Sequence, residues 1–295
     1  MRVGPAFALI AALVLATCSR QPPDGAEIMR WQIDAPWFGG FSGLWIAPDG
    51  SRMTALSDRG TLVSARIDRA DGRIVAIRDV RPVRLRASSG KPLLKELTDG
   101  EGLAITPDGT IHVSYEQVHR VARYETPGGA AQILPRPAAF GAFDDNRGLE
   151  ALASDDQGRL YALPEDWLTP EGAIPVFRWD GQAWTIPFTL PKRGGFLPVG
   201  ADFGPDGRFY LLERDLGMTG FRNRLRSWDL IGDTPRDEIT LIETAGVHDN
   251  LEGVSVWRDS SGRLRATMIS DDNFLPLQRT EIVEYVLKEK LAERL

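Results

Sequence analysis

Three segments of this chain repeat one pattern, a short apolar run closed by Pro-Asp-Gly: Ser42 to Gly50 (SGLWIAPDG), Glu101 to Gly109 (EGLAITPDG) and Val199 to Gly207 (VGADFGPDG). Looser copies are Glu150 to Gly158 (EALASDDQG) and Glu252 to Gly262 (EGVSVWRDSSG), the last with two extra residues. The five starts lie 59, 49, 49 and 53 residues apart. That is the period of four-stranded propeller blades rather than of helical repeats.

After each turn comes an alternating strand: Met53 to Ser57, Ile111 to Tyr115, Leu160 to Leu163, Phe209 to Leu212 and Leu264 to Ile269. The turn residues make each pair a hairpin. A third strand recurs around Arg66-Ile67-Asp68, Arg123-Tyr124-Glu125, Arg178-Trp179-Asp180 and Ser227-Trp228-Asp229. Outer strands follow near Ile74 to Arg84, Ala131 to Leu134, Ala183 to Leu190 and Glu238 to Thr244. The fifth copy has a third strand near Thr280 to Leu287, then a segment of helical composition, KEKLAERL, and no outer strand of its own. Ile28 to Ile33 is expected to supply the missing strand, closing the ring and removing its free edges. The expected fold is therefore all-β, a single propeller of five four-stranded blades over residues 27–295. Six blades of about 45 residues each are the alternative.

The 20 prolines and 30 glycines suit short strands and tight turns. A net charge of −6 speaks against the cationic footprint that phosphate-backbone binding requires, so no nucleic acid is expected. Arg2 and the apolar run Phe7 to Ala16 form an export signal too short to span a bilayer comfortably. Cys18, the one cysteine, ends Leu15-Ala16-Thr17-Cys18, which resembles a lipoprotein cleavage and acylation site, with Thr17 in place of the usual smaller residue. Residues 1–18 then read as a signal peptide and 19–26 as a tether. The expected location is periplasmic with a lipid anchor in the outer membrane, the alternative being plain signal cleavage and secretion. The anchor would be the only membrane contact, and the expected working unit is a monomer.

In a propeller blade the start of the innermost strand and the end of the second share one mouth of the channel. Strand starts here carry Asp99 and Glu101, Arg147 and Glu150, and Asp249, Asn250 and Glu252. Second-strand ends carry Asp58-Arg59, Glu116, Glu165-Asp166, Glu213-Arg214-Asp215 and Asp271-Asp272-Asn273. Every blade is thus expected to bring acid to one rim. Carboxylates so crowded require neutralisation to stay ionised at neutral pH, and a ring of Glu, Asp and Asn oxygens suits Ca2+. Glu101, Glu150, Glu252, Asp271 and Asp272 are the expected metal ligands, with Glu101, Glu150 and Glu252 also the catalytic candidates. Arg59, Arg147 and Arg214 are the expected substrate-binding residues, because guanidinium forks suit phosphate or carboxylate.

The turn aspartates Asp49, Asp108 and Asp206 read as structural, and Trp179, Trp228 and Trp257 as blade packing. Trp37-Phe38-Gly39-Gly40 leads into the first inner strand, where it either lines the mouth or packs. His112, His119 and His248 have no paired spacing of the zinc type. Ser42 lacks the final glycine of a nucleophile elbow. There is no Walker loop, dinucleotide fingerprint or CxxC.

The segments FSGLWIAPDG, TALSDRG, DGEGLAI, GLEALA, NLEGVSV and ISDDNF together resemble the bacterial phytase-like family described as having esterase-like activity of phytase. The resemblance spans essentially the whole mature chain. It implies an exported β-propeller that hydrolyses phosphoesters or simple esters; the rim arginines add the expectation of a small anionic ester or phosphoester as substrate. Two other readings stay open: a non-catalytic envelope lipoprotein that binds a ligand or partner through the same mouth, and a metal-dependent lactone hydrolase.

Overall fold

The computed structural model describes residues 25–144, 147–218 and 220–288. The export signal, Cys18, most of the tether and the C-terminal segment beyond Lys288 lie outside the described residues. Strand β1 (Ala26–Arg30) comes first in the chain and last in the ring. Blade one is β2 (Phe41–Ile46), β3 (Arg52–Ser57), β4 (Thr61–Ala70) and β5 (Arg73–Arg84). Blade two is β6 (Gly100–Ile105), β7 (Ile111–Tyr115), β8 (Arg120–Tyr124) and β9 (Gln132–Ile133). Blade three is β10 (Leu149–Ser154), β11 (Leu160–Pro164), β12 (Ala173–Trp179) and β13 (Trp184–Pro191). Blade four is β14 (Leu197–Phe203), β15 (Phe209–Gly217), β16 (Gly220–Ile231) and β17 (Thr234–Ala245). Blade five is β18 (Asn250–Arg258), β19 (Leu264–Asp271) and β20 (Glu281–Val286), with β1 as its outer strand.

The protein is thus a five-bladed all-β propeller, and the six-blade alternative falls. Closure is the expected one: Ile28 pairs with Val283 and Arg30 with Glu281. The closing strand starts two residues before Ile28, inside the segment assigned to the tether, and stops at Arg30. A salt bridge reinforces the seam, because Arg69 of β4 grips Glu284 of β20 with two bonds of 2.9 Å. Arg265 donates to the same carboxylate at 2.6 Å. Apolar layers fill the spaces between neighbouring blades. Trp228 and Trp257 are buried as expected, while Trp179 is half-buried against Trp184. Trp37 and Phe38 pack with Trp31 and Phe41.

All five inner strands break register near their starts: at Phe41/Gly43, Gly100/Leu103, Leu149/Ala151, Pro198/Gly200 and Leu251/Gly253. Each break is a β-bulge, which bends the strand and re-aims the extra side chain. The residues set free are Ser42, Glu101 with Gly102, Glu150, Val199 and Glu252, the first residues of the repeated unit. The small residue that follows each slot touches the next blade. A Cβ on Gly253 would lie 2.7 Å from the Leu44 nitrogen and 2.9 Å from the Gly43 carbonyl carbon, both backbone atoms of blade one. Gly253→Ala is therefore expected to destabilise the protein by about 1–3 kcal/mol, through overpacking that backbone cannot relieve cheaply. Denaturant unfolding measures it; an unchanged midpoint would remove the close-approach explanation of the repeated glycine.

Candidate functional site

The bulge slots place Glu101, Glu150 and Glu252 at one mouth of the channel, each about nine-tenths buried. A second set of equivalent positions follows from the pairing. Ser57, Tyr115, Pro164, Glu213 and Ser270 sit opposite the residues before the slots. The residues one step further on are Asp58, Glu116, Glu165, Arg214 and Asp271. Two rings result: Ser42, Glu101, Glu150, Val199 and Glu252, and then Asp58, Glu116, Glu165, Arg214 and Asp271.

Blade four departs in both rings, so the expectation of acid from every blade is corrected. Glu213 falls one residue out of phase, and a one-residue step turns a strand side chain to the opposite face. It is fully buried inside blade four, bound by Arg224 Nε at 2.8 Å and by Arg226 at 2.7 and 2.5 Å. Asp215 pairs with Arg222 at 3.0 Å. Blade four instead gives the mouth a cation: Arg214 Nη2 donates to Glu165 at 3.0 Å and lies 3.7 Å from Glu252.

One arginine does not balance seven acids. Burial, then repulsion from Glu252, Asp99, Glu116 and Asp58, holds the Glu101 carboxyl well above its usual range. Glu150 is raised well above it by burial, by Glu101 and Glu116, and by a hydrogen bond with Glu116. Burial pushes Asp271 up to about 8, with Glu252 adding to it. Burial also lifts Asp58 to about 7, helped by Asp271 and Asp99. Glu252 is raised by burial, while Arg214 and a 2.8 Å bond from Asn250 Nδ2 oppose the shift.

These shifts give the cation-free protein a pH-dependent stability. A carboxyl protonated when folded and ionised when unfolded loses folding free energy as pH rises from its unfolded to its folded pKa. Buried His112 and His248, both depressed to about 4 by burial, act oppositely, but only up to the ordinary histidine value of 6.5. Between pH 6.5 and 8 the carboxylates prevail. Without divalent cations the melting temperature is expected to fall across that interval; a rise would contradict the buried-proton picture.

Of the expected metal ligands, Glu101, Glu150, Glu252 and Asp271 come together in one interacting cluster. Asp272 is used by the loop beside it, accepting from Gly40 N at 3.0 Å, Phe274 N at 3.1 Å and Thr280 Oγ1 at 3.0 Å. The tightest oxygen group is Asp99, Glu101 and Glu116, whose carboxylate oxygens lie within 4.8 Å of one another. Glu116 also accepts from Gly148 N at 3.0 Å, and Asp99 from Gln117 Nε2 at 3.1 Å. Among the described residues no donor reaches Glu101, although its side chain is buried. A carboxylate that receives no protein hydrogen bond and sits among all-oxygen neighbours fits a hard cation such as calcium.

The expected substrate-binding arginines are dispersed. Arg214 is engaged by two acids, and Arg147 pairs with Asp166 on the exposed rim. Arg59 lies 3.2 Å above the Phe274 ring centre. Phe274 and Asn273 both have positive φ, a strained turn held by Asp271 and Asp272. Phe274 is a site residue beyond those expected from the sequence, where its one signal is its place directly after the acids of ISDDNF.

Five blades around a mouth of stacked carboxylates define a β-propeller with a polar axial site. The chain belongs to the phytase-like family, described as having esterase-like activity of phytase, whose model matches residues 36–274. No curated protein matches it in sequence. Among solved structures it is similar to the catalytic domain of a GH62 α-L-arabinofuranosidase from Coprinopsis cinerea, at 12% identity and a TM-score of 0.53, covering 88% of this chain and 94% of the other. The PQQ-bound aldose sugar dehydrogenase from Streptomyces coelicolor is 15% identical with a TM-score of 0.47, covering 90% and 100%. A gluconolactonase from Xanthomonas campestris is 18% identical with a TM-score of 0.40, covering 80% and 69%. At these identities the likeness is one of fold.

Proposed function

We propose that this protein is an exported, calcium-dependent hydrolase of phosphoesters or simple esters, working at the acidic mouth. The observation that carries the reading is Glu101, a residue about nine-tenths buried whose carboxylate receives no hydrogen bond from the described residues, grouped with Asp99 and Glu116. Membership of the phytase-like family supports the reaction class, and the N-terminal apolar run with Cys18 supports export to the periplasm and lipid attachment. Asp99, Glu101 and Glu116 would hold the ion, with Glu150, Glu252 and Asp271 at its margin. Calcium bound there would supply charge stabilisation to an ester oxygen and lower the pKa of a water.

The remaining chemistry belongs to the side chains. Glu150, buried and bonded to Glu116, has its carboxyl held well above the usual range, the direction a general acid needs, and would donate its proton to a leaving oxygen. Glu252 loses its proton first of the two, because Arg214 and Asn250 favour the ionised form, and it accepts the proton of the attacking water. Replacing Glu101 and Glu252 together by Gln is expected to lower kcat/KM on a panel of phosphate and carboxylate esters by about a hundredfold or more. Equal rates for variant and parent would sink the reading. A parent that turns over no ester or lactone with calcium present would leave the mouth a binding site.

A further inference from the structure

Beside the acid cluster, between blades one and two, lies a cavity of about 380 Å3 whose lining includes Asp58, Arg59, Arg84, Lys95, Asp99 and Gln117. Asp99 belongs both to this cavity and to the oxygen trio, so the two adjoin at that residue. The cavity is bipolar. Gln117 holds Asp99, the acid shared with the trio, whereas Arg59, Arg84 and Lys95 make no ion pair among the described residues. Neither Asp58 nor Asp99 comes within salt-bridge distance of them, although all five line one small space. Arg59 is held in place by its stack on Phe274, which occupies one guanidinium face and leaves the N–H edges for a ligand.

Three cations facing one cavity, unpaired although acids line the same space, are arranged to receive an oxyanion. We propose that Arg59, Arg84 and Lys95 form an anion subsite that binds a phosphate or carboxylate group of the substrate, while the neighbouring ester oxygen reaches the Asp99–Glu101–Glu116 group. The substrate is then an ester carrying a separate anionic group, not a neutral ester. This assignment rests on the reading of the trio as a cation site, but the subsite is measurable without it.

Titrating inorganic phosphate into the full-length protein by calorimetry, with and without calcium, provides the test. Replacing Arg84 and Lys95 together by Ala is expected to weaken phosphate binding about tenfold or more while leaving calcium affinity unchanged. Both side chains are exposed and unpaired, so folding is not at stake. Phosphate bound as tightly by the variant as by the parent, or by neither, overturns the subsite. Acetate titrated in parallel separates the two ligand chemistries: tighter phosphate assigns a phosphoryl group and tighter acetate a carboxylate, provided the preferred anion is the one the double variant loses. Phosphate binding that needs Arg84 and Lys95 in a protein that takes up no calcium upholds the subsite and overturns the cation reading instead.

Discussion

Replacing Glu213 by Ala is expected to destabilise the protein by about 3–5 kcal/mol, because it leaves buried Arg224 with no acid and buried Arg226 with Glu238 alone. Arg226 is fully buried and Arg224 nearly so, and Glu213 receives three of their hydrogen bonds. Arg226 retains Glu238 of its own blade at 2.9 Å and the Pro191 carbonyl at 3.0 Å, the second tying blade four to the end of blade three. Arg224 keeps only the Arg193 carbonyl, at 3.0 Å, and no counter-charge. The melting temperature should drop by roughly 10 °C, since each kcal/mol shifts a chain of this size by about 2–4 °C. Glu213→Gln, which keeps an acceptor, should cost less. A drop within about 2 °C for the Ala variant would show that the pair is solvated by water and not bound as described.

The second large effect concerns calcium. A ligand that binds only the folded state stabilises it by about 2.7 kcal/mol at a hundred times its dissociation constant, so the parent should melt higher with calcium than with chelator. Glu101→Gln is expected to do two opposite things. It removes a carboxyl that burial and the acids Glu252, Asp99, Glu116 and Asp58 disfavour in its ionised form, and with it the cost of protonating that group on folding at neutral pH, so the chelated variant should melt above the chelated parent; it also removes the central oxygen donor, so calcium should add little. Thermal melts of both proteins in both conditions measure this. A variant that keeps the full calcium increment would place the ion elsewhere, and a parent with no increment would remove calcium from the account.

The blades were legible because turn chemistry and strand alternation repeat together. Pro-Asp-Gly closes a hairpin wherever it stands, and five copies at one period admit few architectures. The phase of the side chains was less legible. Alternation counted along Leu211-Leu212-Glu213-Arg214 does not say which of Glu213 and Arg214 reaches the channel, since the answer depends on a bulge in the paired strand, and a bulge leaves no residue-level mark of its own. The same device explains why Glu101, Glu150 and Glu252 were found: they open the repeated unit and the bulge falls on them. Arg84 and Lys95 carried no signal. One ends an outer strand and the other opens a short 3-10 helix, Lys95–Leu97, before β6, places where the repeat has no fixed content. Asp272 was grouped with its neighbour Asp271, but adjacent residues point apart, and Asp272 turns to the loop.

Val199 and Arg214 have a consequence for the orientation of whatever binds. A ring of identical blades would offer a ligand five equivalent poses related by rotation about the axis. Blade four breaks that degeneracy by replacing an acid slot with an apolar side chain and an acid rim position with a guanidinium. The mouth thereby acquires an in-plane dipole, negative over the arc of blades five, one, two and three. A polar molecule entering along the axis meets one preferred azimuth, and a carboxamide or methionine substituted at Arg214 would return it toward several.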